Sequence, residues 1–223
     1  MRRSLVAGFV LSMLLLAGSA RADTVNITFV DNPFGMIGPY IGSVDGKLSD
    51  IICDDYISET YPDESWTANV STLDDLSGTK FHDLTGYEEV AWLASKLLDG
   101  TNGNSAAAIQ FAIWQVFEAP TPFNDLSGSL LTDAQSWLSD AGDYVHAADF
   151  NPAVFTNFRI YTAVGDPTCS GGPCPPGPTT PQEFVTFVPE PGSLQLLSIG
   201  LLMAFGFWRY RKSAAGVPQV QSV

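Results

Sequence analysis

The chain is poor in basic residues, histidine and cysteine, and each scarcity narrows what it can do. Its 223 residues hold 10 lysines and arginines against 24 aspartates and glutamates. Six of the ten basic residues sit near the ends (Arg2, Arg3, Arg21, Arg209, Arg211 and Lys212), leaving Lys47, Lys80, Lys96 and Arg159 for the middle. Residues 23–188 therefore carry four positive charges against 23 negative ones, a formal net charge of −19. Such a body repels nucleic acid and anionic lipid. It suits a basic partner, although solubility alone explains it equally well. Two histidines, His82 and His146, and three cysteines form no cluster with zinc-ligand spacing. A phosphate-binding glycine loop and a Gly-x-Ser-x-Gly nucleophile are also missing. No cofactor or metal is expected.

What is present begins at the two ends. Arg2 and Arg3 precede an apolar stretch from Leu5 to Ala17, and Ala20-Arg21-Ala22 offers small residues at both cleavage-determining positions. This reads as a signal peptide over residues 1–22, cut before Asp23, so the protein is expected to be exported. At the other end Pro189-Glu190-Pro191 is followed by an apolar run, Leu194 to Trp208, and then by Arg209, Arg211 and Lys212. As a helix the run would be roughly 22 Å long at about 1.5 Å per residue, short of a ~30 Å hydrocarbon core without help from its flanks. The basic cluster would stay cytoplasmic, placing everything before it outside. A plain single-pass anchor satisfies the same physics. This order of elements resembles the PEP-CTERM sorting signal of Gram-negative bacteria. The resemblance implies an exosortase-type processing enzyme as partner, the membrane as an intermediate station, and the cell surface or extracellular matrix as destination. The tail from Ser213 to Val223 is longer than such signals usually carry.

Between body and anchor, Gly165 to Pro181 is rich in Gly, Pro and Thr and encloses Cys169-Ser-Gly-Gly-Pro-Cys174. This reads as a linker. Two cysteines so close in an oxidising compartment are expected to form a small disulfide loop. That pairing leaves Cys53 over, as a buried thiol, an intermolecular bridge or a reactive group. Ile51-Ile52-Cys53-Asp54-Asp55-Tyr56 looks like a strand ending in a polar loop.

Downstream, Val90, Leu93, Ala94, Leu97 and Leu98 recur at helical spacing in a segment that opens at Gly86 and closes at Asp99-Gly100. A second helix is expected from Ser105, a plausible N-cap, to Phe117, with Pro120 stopping it. Ile109, Ala112, Ile113 and Val116 mark one face, with Gln110, Trp114 and Phe117 on an adjacent one. Gln110 thus sits in an almost wholly apolar helix, where a buried amide must find partners or cost about 1–3 kcal/mol.

A cysteine at a strand end, the run Tyr87-Glu88-Glu89-Val90-Ala91-Trp92-Leu93, and then Ile109-Gln110-Phe111-Ala112-Ile113-Trp114 resemble the thioester domains of bacterial surface adhesins. The resemblance implies that the Cys53 sulfur is acylated by the Gln110 side chain with loss of ammonia, and covers residues from about 25 to 165. Asp54 stands where that family tends to be hydrophobic. A thioester is attacked by amines more readily than an amide is. Forming it requires near-attack contact between the two groups, and an apolar shell would slow hydrolysis. Trp92, Ile109, Phe111, Ile113 and Trp114 are the candidates for that shell.

Other candidates are less specific. His82 or His146 could serve as a general base. Asp54, Asp55, Asp63 and Glu64 lack EF-hand spacing. Asn26 and Asn69 begin nominal sequons. Strands are expected over Val25–Val30, Ile37–Ile52, Val154–Ala163 and Phe184–Val188, and a third helix over Thr132–Ala148. Strands, then helices, then strands imply an α+β, sandwich-like sheet scaffold with a central helical insert.

The expected organisation is a signal peptide (1–22), a thioester-like domain (23–165), a linker (166–188), a sorting signal (189–212) and a short cytoplasmic tail (213–223). The function expected is covalent adhesion, through the Cys53–Gln110 acyl bond, to an amine on another surface, used once and without turnover. A passive matrix or biofilm protein sorted by the same tail is the alternative. A papain-like hydrolase using Cys53 and His146 is a third.

Overall fold

The computed structural model describes residues 24–100, 105–169 and 180–188, with Gly200 and Met203 as isolated positions. The sorting motif, the apolar run apart from those two positions, the basic cluster and the signal peptide lie outside the described residues. Among the described residues no helix is long and apolar enough to cross a membrane.

The protein is α+β. Six antiparallel strands, β1 (Thr24–Asp31), β2 (Tyr40–Val44), β3 (Lys47–Cys53), β4 (Glu64–Ser71), β5 (Phe158–Cys169) and β6 (Phe184–Phe187), close into a barrel in the order β1-β2-β3-β6-β5-β4. Four helices lie between β4 and β5: α1 (Leu84–Leu98), α2 (Ala106–Glu118), the single turn α3 (Thr121–Asn124) and α4 (Gly128–Val145). The helical insert is therefore where the sequence places it, but the sheet closes on itself instead of forming an open, sandwich-like layer. Closure depends on β6, which pairs with β3 through Ile52↔Val185 and Cys53↔Phe184 and with β5 on its other edge. The body consequently does not stop at residue 165. β5 runs to Cys169, and the last residues of the expected linker supply a barrel strand.

Local chemistry explains the elements. β2 and β3 are joined by Asp45-Gly46, both at positive φ (49° and 78°), the two-residue hairpin turn that matches strand twist. This turn splits the long strand expected over Ile37–Ile52. α1 buries Val90, Leu93, Ala94 and Leu97 on one stripe and is followed by Gly100 in the left-handed region (φ 65°). Ser105 occupies the N-cap position of α2 but makes no side-chain capping bond, and Pro120 follows the helix end. α4 begins earlier than expected, at Gly128, and a 3-10 turn at Pro152–Phe155 takes the first residues expected to belong to β5.

The pleat of the strands divides the core in two. Ile27, Phe29, Ile51, Cys53, Trp66, Ala68, Tyr161 and Phe184 form one apolar cluster contributed by β1 and β3–β6, joined by Tyr40 of β2. Their alternating neighbours Ile52, Ile160 and Val185 join a second cluster with Val90, Leu93, Ile109 and Ile113 of the helices. The end of β3, the start of β5 and most of β6 are thus buried on both faces. Helix α2 serves both clusters: Ile109, Ala112 and Ile113 pack in the helical core, while Trp114 packs in the barrel cluster.

Candidate functional site

Cys53 is the last residue of β3, and the strand's final three residues, Ile51-Ile52-Cys53, are all buried. It is a free, fully buried thiol. Its Sγ donates to the Asp55 carbonyl at 3.0 Å and accepts from the Asp55 N–H at 3.3 Å, so the chain folds back over the sulfur immediately after the strand. Burial pushes the thiol well above its ordinary pKa, and the Asp54 and Asp55 carboxylates push it further. The Asp55 N–H and the nearby Trp114 indole pull in the opposite direction. The indole nitrogen itself reaches no acceptor at hydrogen-bonding geometry.

Gln110 lies in the first half of α2 and is also fully buried. Its side chain bridges the end of β3 and the loop that leads into β2. Nε2 donates to the backbone carbonyl of Cys53 at 2.7 Å, and Oε1 accepts from the backbone N–H of Gly38 at 3.1 Å. Only one orientation of the amide satisfies both, since the carbonyl needs a donor and the N–H an acceptor. The acyl carbon is thereby held beside the residue that carries the thiol. Cysteine and glutamine, 57 positions apart in sequence, are one hydrogen bond apart in space.

Charged groups tie the two elements together around this contact. Glu118, at the end of α2, accepts from the Tyr56 N–H in the loop after Cys53. Lys80 Nζ lies 2.6 Å from Asp55 Oδ1 and 3.8 Å from Glu118 Oε1. Asp55 also offers its carbonyl to Gln182 Nε2 at 3.0 Å. Behind them Glu183, buried beside β6, accepts from the Lys80 N–H at 2.9 Å, from the Tyr87 hydroxyl at 2.5 Å and from the Thr162 hydroxyl. Asp54 is fully buried and neither of its oxygens meets a donor. Desolvation, and then the Glu183 and Asp55 carboxylates, push its pKa well above the ordinary range.

A cavity of about 490 Å³ adjoins the site. Met36, Tyr40, Tyr56, Tyr61 and Trp114 supply its apolar walls, and Glu59 the carboxylate of its lining. Tyr40 and Trp114 belong both to this wall and to the cluster around Cys53. Trp114 is itself held between Tyr56 (ring centroids 5.1 Å apart) and Phe111 (5.0 Å). The Tyr56 hydroxyl donates to Asp125, which pushes its pKa up to about 12.

Of the five side chains expected to shield the pair, Trp114 packs in the Cys53 cluster and Phe111 packs against it. Ile109, Ile113 and Trp92 do not. The two isoleucines face the helical core, and Trp92 sits against Trp137 and Tyr144. The reason is the helix period: residues adjacent to Gln110 in sequence leave it on different sides. Tyr40 and Phe184 take their place from the barrel side. His82 and His146 are exposed, each with its Nδ1 against a backbone carbonyl, of Leu76 and Gly142 respectively. Glu64 is an inward-pointing residue of β4 whose carboxylate accepts from the Tyr61 N–H at 3.0 Å. Asp63 precedes it at positive φ (69°). Cys169 is disulfide-bonded, and Cys174, its expected partner, lies outside the described residues.

Gly38 is the participant that sequence reasoning missed. A backbone N–H has no side-chain signature, and Gly38-Pro39 reads simply as a turn. No protein family, curated protein or solved structure matches the chain.

Proposed function

We propose that the protein is an exported surface adhesin whose body forms an internal Cys53–Gln110 thioester and uses it once, to couple to an amine on a partner surface. The observation that carries this reading is the Gln110 amide, which is buried, with its nitrogen pinned to the residue bearing the free thiol and its oxygen to Gly38. In the reaction the Cys53 sulfur bonds to the Gln110 acyl carbon and the carbon–nitrogen bond breaks. The thiol proton leaves with the nitrogen as ammonia. An incoming amine then forms an amide at the same carbon and returns the proton to sulfur. Pre-positioning supplies what an ordinary amide lacks in reactivity, since effective molarities can lower the barrier by about 7–11 kcal/mol. Burial beneath Tyr40 and Trp114 keeps water from competing.

Export by the signal peptide and processing at Pro189-Glu190-Pro191 by an exosortase-type enzyme belong to the same proposal. A formal charge of −19 on residues 23–188 attracts cationic amines to the surface.

Intact mass tests it. The chain should be lighter by about 17 Da, one ammonia, beyond the Cys169 disulfide, and methylamine should then add about 31 Da and expose one thiol. Cys53→Ala and Gln110→Ala should each abolish both changes. A full-mass protein that ignores methylamine sinks the thioester and leaves a passive matrix protein. One observation favours that second reading: the two hydrogen bonds already satisfy Gln110 as an ordinary structural amide.

A further inference from the structure

We infer that the backbone N–H of Gly38 is the oxyanion donor of the acyl-transfer site, a role that rests on the thioester reading above. The donor lies 3.1 Å from Gln110 Oε1 in the amide state. When sulfur adds to the acyl carbon, the carbonyl double bond opens and negative charge collects on that oxygen. A fixed N–H in a buried site then gains strength as the charge grows, and needs no reorganisation to do so. The Nε2 contact to the Cys53 carbonyl holds the departing nitrogen away from Gly38, so the donor faces the oxygen throughout.

The residue type at position 38 is set by this approach. A Cβ there would lie 2.7 Å from Gln110 Oε1 and 3.4 Å from the Tyr40 ring. The backbone at Gly38 is not in the left-handed region that favours glycine. Glycine is therefore needed for proximity to the acyl oxygen and not for a turn conformation. Any side chain would push the carbonyl off its donor or the loop off the site.

The donor also serves both half-reactions. Formation from the amide and cleavage by an amine pass through a tetrahedral centre at the same carbon, and each places the charge on the same oxygen. In the first, the proton from sulfur goes to the leaving nitrogen; in the second, the proton from the amine goes to the leaving sulfur. No further reactant is required.

The test replaces Gly38 in the full chain by glycolic acid. This turns the 37–38 amide into an ester, deleting the N–H and adding no atom that could clash. Two rates are read by mass spectrometry: appearance of the ammonia-loss species after synthesis, and thiol release in methylamine. Both should fall about 100-fold or more, the usual consequence of losing one oxyanion donor. The melting temperature should stay within a few degrees. In the unaltered protein, ¹³C-labelled Gln110 should show an acyl carbonyl stretch lowered relative to a free alkyl thioester, a readout independent of any variant's folding. Unchanged rates in the ester variant, or an unshifted carbonyl, overturn the role of Gly38 and leave the acyl bond standing. An unaltered chain at full mass overturns both.

Discussion

The side-chain amide of Gln110 donates to the backbone carbonyl of Cys53 across 2.7 Å, a buried polar contact that joins helix α2 to the end of β3. Relative to the amide form, removing each residue should therefore have unequal consequences. Gln110→Ala strands the Cys53 carbonyl and the Gly38 N–H without partners, at about 1–3 kcal/mol each, roughly 2–6 kcal/mol in all. Cys53→Ala leaves both backbone bonds intact and removes one sulfur from the core, costing on the order of 1 kcal/mol. Urea unfolding of the two variants measures the difference. Equal losses would mean that the Gln110 bonds do not carry the stability assigned to them.

Lys80 is the cation facing two buried carboxylates, Asp55 at 2.6 Å and Glu118 at 3.8 Å. Its side chain is 36% exposed, so its loss falls between the surface and buried limits for ion pairs. Lys80→Met, which keeps most of the stem, should cost about 2–3 kcal/mol at pH 7. The deficit should shrink as pH falls and the stranded Glu118 carboxylate takes up a proton. Glu118 protonates early in that descent, because burial raises its pKa. A deficit that does not change between neutral and acid pH would show that packing, not charge, is what Lys80 supplies.

The helices and the candidate residues Cys53 and Gln110 were legible because they carry periodic or chemical signatures. Val90, Leu93, Ala94 and Leu97 repeat at helical spacing, and Gln110 stands out within an apolar helix. β4 was not legible. Its inward residues are Glu64, Trp66 and Ala68, and of these only Trp66 favours strands, so the alternation is hidden by composition. Barrel closure was also hidden: Cys53 pairs with Phe184 across most of the body, and no local pattern announces so distant a register. Shell residues were misassigned for a related reason. Sequence adjacency to Gln110 selected Ile109 and Ile113, whereas the fold supplies Tyr40 and Phe184 from the barrel.

Gly42 in β2 tests the packing of the barrel independently of any chemistry. A Cβ at this position would lie 2.5 Å from Ile51 Cδ1 and 3.1 Å from its Cγ1. Ile51 is fully buried between neighbouring side chains and has little room to turn. Gly42→Ala should therefore destabilise by about 1–3 kcal/mol, reversing the usual gain from replacing a strand glycine. The double variant Gly42→Ala with Ile51→Val should recover part of that loss. Additive losses in the double variant would place the strain elsewhere.

Asp54 gives the pH dependence its sign. Its folded pKa is raised, so between the ordinary carboxylate range and the folded value the native state holds a proton that the unfolded chain releases. Its contribution is then fully present at acid pH and is lost as pH rises through the folded pKa, with a limiting slope of about 1.4 kcal/mol per pH unit. Asp54→Asn keeps the shape and cannot ionise, and its N–H can donate to the neighbouring Glu183 carboxylate. Thermal melts across pH 4 to 8 should show the variant close to the parent at the acid end and more stable at the neutral end. Parallel pH profiles for the two proteins would remove Asp54 as the titrating group. When ionised, Asp54 itself also raises the Cys53 thiol, so the Asn variant, which cannot ionise, should carry a thiol that ionises at lower pH. Thiol alkylation against pH in Asp54→Asn, with Gln110→Ala added to keep the sulfur free, measures that shift directly.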